Sequence, residues 1–143
     1  MVTEIKKILV ALDGSPNSFR ALDMAIHIAR QSHNTITALS VKEVPGIYAI
    51  HPSGFLDFNS ISEIKKLFES AKVRAAKKGI QLIGKMIVGE PGPDIARFAN
   101  NVKNKIDLVV IGNRGRSSAK EIFLGSTSNH VLHKSKKPVL VIK

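Results

Sequence analysis

The chain has 143 residues, a length that fits one domain, residues 1 to 143, with one sizeable core. It contains no cysteine, which excludes disulfides, thiolate nucleophiles and thiolate metal sites and fits a cytoplasmic location. Its formal net charge of +11 favours anionic partners, but the lysines are spread over most segments and aromatic residues are only 5%, a pattern that disfavours nucleic acid as a partner.

The first stretch, "IKKILVAL", is a short apolar strand ending at Asp13-Gly14. Its apolar run is too short for a signal peptide, and no segment of the chain approaches the roughly 20 apolar residues that span a bilayer, so no membrane partner is expected. Ser15 then stands as an N-cap with Pro16 at the first helical position. The helix that follows carries Phe19, Leu22, Ile26 and Ala29 on one face. "TITALSV" (35 to 41) is a second strand. Residues 43 to 59 show no period and read as a loop over one end of a sheet. A second helix is expected to open at Ser60-x-x-Glu63, a capping box, and to close at Lys77-Lys78-Gly79. "IQLIGKMIV" (80 to 88) is the third strand. Pro93 can start a third helix with Ile95, Phe98, Ala99 and Val102 on its apolar face. "DLVVIG" (107 to 112) is a buried strand, 126 to 134 a helix, and "PVLVI" (138 to 142) the last strand.

Strands alternating with helices of this length predict an α/β fold: a five-stranded parallel sheet with helices on both faces, doubly wound and Rossmann-like, a three-layer sandwich. Ligands of such folds bind beyond the carboxyl ends of the strands. The loops at that edge are 13 to 16, 42 to 59, 89 to 93 and 112 to 126. The last contains Gly112, Gly115 and Gly125 and runs into Ser126-Thr127-Ser128 at a helix start. Glycines let backbone amides approach a phosphate, and a helix N-terminus favours an anion. The same residues also suit a plain strand-to-helix turn with a serine cap, so spacing alone leaves both readings open. No G-x-x-x-x-G-K-[ST] is present, and no G-x-G-x-x-G follows the first strand.

"KILVALDGSPNSFRAL", "DLVVIGNRG" and "LGSTSNHVLHKSKKPVLVIK" together make the chain resemble the universal stress proteins over nearly its whole length. The ATP-binding signature of that family is Gly, two residues, Gly, nine residues, Gly, then Ser or Thr, and here it falls on Gly112, Gly115, Gly125 and Ser126 without deviation. The resemblance implies ATP as ligand, with Mg2+ or Mn2+. It places Asp13 near the ribose, the phosphates or their metal ion, and Ala11 and Val41 beside adenine and ribose. Gly112, Gly115, Gly125 and Ser126 fall to ribose and phosphate, with Thr127 assisting. Similar proteins pair as homodimers through the last strand, here Pro138 to Ile142, which is apolar on both faces. The expected role is a stress-response or regulatory one in which the nucleotide is a structural or signalling ligand. Two alternatives stand beside it: a slow ATPase or autophosphorylating enzyme on the same site, and a nucleic-acid-associated basic dimer. No catalytic residue is assigned.

Overall fold

The computed structural model describes residues 4–43, 58–114 and 124–143. Among these residues five strands alternate with four α-helices: β1 Lys7–Ala11, α1 Pro16–Ser32, β2 Thr35–Lys42, α2 Phe58–Ala76, β3 Leu82–Val88, α3 Pro91–Asn100, β4 Leu108–Gly112, α4 Ser126–Lys134 and β5 Val139–Ile142. All pairings are parallel, in the order β3-β2-β1-β4-β5. From β1 the chain winds outward to β2 and β3, then returns to the other side of β1 for β4 and β5. The strand order therefore reverses between β1 and β4. Both strands are buried, as a central pair covered on two faces must be.

The pleat sorts the core into two layers. Ile8, Val10 and Leu12 of the first strand and its exit pack with Ile36, Ala38, Leu108 and Val110 against α1 and α2. Leu9, Leu39, Val109 and Ile111, from the alternate positions, pack against α3 and α4 through Ile95, Ala99 and Val131. Full burial of each such Leu or Ile contributes about 2 kcal/mol. Phe68 of α2 lies flat over Gly84 of β3, where an added Cβ would come within 2.6 Å of the ring.

Three sequence expectations shift. The second helix already begins at Phe58, so Ser60 lies within its first turn and is not its cap. The third begins at Pro91, not Pro93, and the Asp94 carboxylate reaches back to accept the Glu90 amide at 2.8 Å, half of a capping box. That helix also ends before Val102. The Asn101 side chain accepts from the Lys103 amide and starts a separate 3-10 turn, Val102–Asn104, which leaves Val102 81% exposed. The glycine stop of α2 is as expected: Gly79 has φ +74°, and the Ile80 amide returns to the Ala75 carbonyl.

Candidate functional site

Two strand-to-helix turns meet at the reversal of strand order. After β1, Gly14 takes φ +86° and turns the chain. Asp13 Oδ1 accepts the Ser15 amide at 2.8 Å, and Ser15 Oγ accepts the Ser18 amide at 3.1 Å as the cap of α1. Ser18 Oγ donates to the Ser15 carbonyl. The turn thus satisfies its own polar groups, and Ser15 and Ser18 are buried.

After β4 the arrangement differs. The Asn113 amide donates to the Ile142 carbonyl at 2.7 Å, which ties the loop's start to β5. The Asn113 carbonyl then accepts twice, from the Gly125 amide at 2.7 Å and from Ser128 Oγ at 2.9 Å. Ser128 Oγ also lies 3.1 Å from the Gly125 carbonyl. Asn113 and Gly125, at the two ends of the loop, are therefore clasped together. The N-cap of α4 is Gly125, and no side chain among the described residues caps that helix. Ser126 and Thr127 occupy its first turn.

The two glycines here serve packing as well as any ligand. A methyl at Gly112 would come within 2.9 Å of the Asn17 carbonyl oxygen, so the absence of a side chain is what seats the start of α1 on β4. At Gly125 a Cβ would lie 3.2 Å from the Asn113 carbonyl oxygen, and its φ of −64° is open to any residue. Close approach, not a left-handed backbone, is what these positions demand. The third signature glycine, Gly115, and Arg116 lie outside the described residues.

An open cleft of about 1700 Å³ runs across this edge. Of the sequence-predicted site, Ala11, Asp13, Val41, Gly112, Gly125, Ser126 and Thr127 all line it. Ala11 and Val41 are half-buried against the layer formed by Leu39, Ile95 and Ile111, an apolar floor beside the reversal point. Arg114, inside the glycine loop, lines the cleft beside the clasp. Folding adds residues that sequence proximity missed: Lys42 and Lys66 line it from β2 and α2, and Glu63 and Glu90 bring carboxylates to its walls. The only sequence signal for Glu90 was its place in a turn at the correct edge. His130 sits under α3, where Gly92 would meet its Cβ at 2.9 Å, while His133 is exposed. Among the described residues, no group of three or more His, Cys, Asp or Glu could hold a metal ion. No helix among them is long and apolar enough to cross a membrane.

Comparison with known proteins agrees with this architecture. The universal stress protein family model matches residues 4–143. The universal stress protein YxiE of Bacillus subtilis is 37% identical, covering 96% of this chain and 98% of its own. Among solved structures, the universal stress protein UspA of Lactobacillus plantarum superposes with a TM-score of 0.85 at 25% identity, over 99% of both chains. The universal stress protein of Archaeoglobus fulgidus in complex with dAMP superposes with a TM-score of 0.71 at 27% identity, over 100% of both chains. An α/β sheet reversing between β1 and β4, a glycine-bearing turn at the reversal and a match along nearly every residue lead to one conclusion: the chain belongs to the universal stress protein family.

Proposed function

We propose that this protein binds ATP in the cleft and uses it as a structural or signalling ligand in a regulatory role. The observation that carries this reading is convergence. Residues from β1, β2, β4 and α4, far apart in sequence, meet at the edge where doubly wound folds take their ligands. The dAMP complex of the Archaeoglobus fulgidus relative supports a purine nucleotide as the class.

The chemistry of the lining fits such a ligand. The half-buried Ala11 and Val41 offer apolar surface to a base or sugar. The first turn of α4, uncapped by a side chain, offers amides and the Ser126 and Thr127 hydroxyls to phosphate oxygens, with the helix dipole adding to the attraction. Arg114 adds a full positive charge on the same side. A divalent ion fits Asp13 in the manner magnesium favours, one carboxylate with the remaining oxygens from phosphate and water, and bound there it would neutralise phosphate charge. Gly115 is assigned to the same phosphate-binding loop on its place in the signature.

The test is titration calorimetry with Mg-ATP, on wild type and on Asp13→Asn. Wild type is expected to bind one ATP per chain, and the variant to lose about tenfold in affinity with Mg2+ present and little without it. No heat of binding for Mg-ATP, together with no nucleotide released on denaturing fresh protein, would overturn the reading. Turnover is a separate matter. Glu63 and Glu90 line the cleft, and phosphate release above a blank, lost in Asp13→Asn, would convert the same site into a slow ATPase. Pairing of two chains through Pro138–Ile142 belongs to the same proposal: β5 is an edge strand with Leu140 36% exposed, and a homodimer would cover it.

A further inference from the structure

The positive charge is scattered in sequence but not in space. In a parallel α/β sheet, strand starts and helix ends share one edge, here the edge opposite the cleft. Lys6 and Lys7 enter β1 there, and Asp107 accepts both of their amides, at 2.9 and 3.0 Å, so the start of β4 is bound to the start of β1. Arg30 lies in the last turn of α1, and Lys77-Lys78 follow α2. On the other face of the sheet, Lys103 and Lys105 flank the 3-10 turn. Lys134 and Lys136 are held together by Asn100, which donates to the carbonyl of the first at 3.0 Å and accepts from the amide of the second at 2.7 Å. Lys137 completes the set.

These ten cations belong to a chain with 22 Lys+Arg, while among the described residues the edge holds only Glu4 and Asp107 of 11 Asp+Glu. The edge nets +8 of the formal +11, leaving +3 for the rest of the chain. Compensation of helix dipoles does not account for this. Four helix C-termini present about −2 in total at roughly −0.5 each, a quarter of the charge gathered there.

We propose that this edge is a binding surface for the phosphate backbone of duplex nucleic acid, read without regard to sequence. Five strands about 4.8 Å apart make the edge roughly 20 Å wide, and that length of duplex presents about twelve phosphates, at one charge per ~1.7 Å of axis. Eight of the ten cations are exposed, and Lys7 and Lys137 are half-buried. No Phe, Tyr or Trp lies in segments 4–7, 30–35, 77–82, 101–107 or 134–138, and His33 is the one aromatic ring there, so unpaired bases have little to stack on. In those segments Val102 is the one exposed large apolar side chain among the described residues, too little apolar surface to seat in a lipid interface. A duplex backbone asks only for charge in a broad array. The cleft lies at the far end of the strands, so a nucleotide and a duplex can be held at once.

The experiment is fluorescence anisotropy with a labelled duplex of about 24 base pairs. Wild type is compared with Lys77→Glu/Lys136→Glu at the edge and with Lys65→Glu/Lys72→Glu on the exposed side of α2, which changes net charge equally. Binding by wild type is expected to weaken more than about 100-fold between about 50 and 200 mM salt, the slope of five or so phosphate contacts. The edge pair is expected to lose about tenfold or more, and the α2 pair less than about twofold. All four lysines are exposed, and an unchanged melting temperature identifies a folded variant. Three results overturn the proposal: no binding at about 50 mM salt, equal losses in the two pairs, or binding to phosphatidylserine vesicles without binding to the duplex.

Discussion

The turns after β1 and after β4 stand side by side and are built on opposite plans. The first is closed. Asp13 accepts the Ser15 amide, Ser15 and Ser18 bond to each other, and α1 starts from a serine cap. The second is clasped at its base by Asn113 and Ser128, yet α4 starts from Gly125 without a side-chain cap among the described residues. A helix start that satisfies itself has little to offer an anion, whereas one left open to solvent has several amides to give. The difference explains why this chain has no glycine-rich motif after its first strand. The turn there is an anchor, and the open helix start stands on the other side of the reversal point.

This contrast can be broken most severely at Gly112. Gly112→Val drives side-chain atoms into the backbone of Asn17, and a stability loss of about 3 kcal/mol is expected with or without nucleotide. Urea unfolding reads it, and a loss appearing only when nucleotide is present would assign Gly112 to the ligand and not to the seat of α1. Ser128→Ala sharpens the comparison. It removes the buried hydroxyl that joins Asn113 to Gly125, at a cost of about 1 to 2 kcal/mol, and a parallel weakening of ATP binding is expected because the loop ends are released. The smallest effect belongs to Ser15→Ala. Loss of the α1 cap costs about 1 kcal/mol, and ATP affinity measured by calorimetry should stay within about twofold. A large affinity loss there would mean that Ser15, and not Asp13 alone, acts on the ligand from this turn.

Much of the fold was legible because each element declares its period. "IKKILVAL" and "DLVVIG" could be little other than buried strands, and Ser15-Pro16 and Gly79 marked helix ends correctly. Strand order was not legible, since nothing in the sequence says on which side of β1 the fourth strand returns. Val102 misled because it continues the apolar spacing of α3, while the Asn101 side chain ends that helix through a local bond that no period reveals. The site followed the same division. Its glycine spacing and Asp13 were readable as a linear pattern. Glu63, Glu90 and Lys66 reach the cleft only through the stacking of α2 and α3 around the sheet. Ser128 looked like one more hydroxyl in a polar run, and its work as a clasp depends on a carbonyl 15 residues away.

One peptide unit has a consequence that reaches past the cleft. The amide of Asn113 holds the end of β5 through Ile142, and its carbonyl holds the start of α4. That unit therefore links the sheet's last strand to the start of α4. A ligand that favours one placement of Asn113 biases every equilibrium in which β5 takes part. By linkage, a contact made along β5 must return the same factor to the ligand's affinity. The free edge of the sheet and the mouth of the cleft are two handles on a single lever.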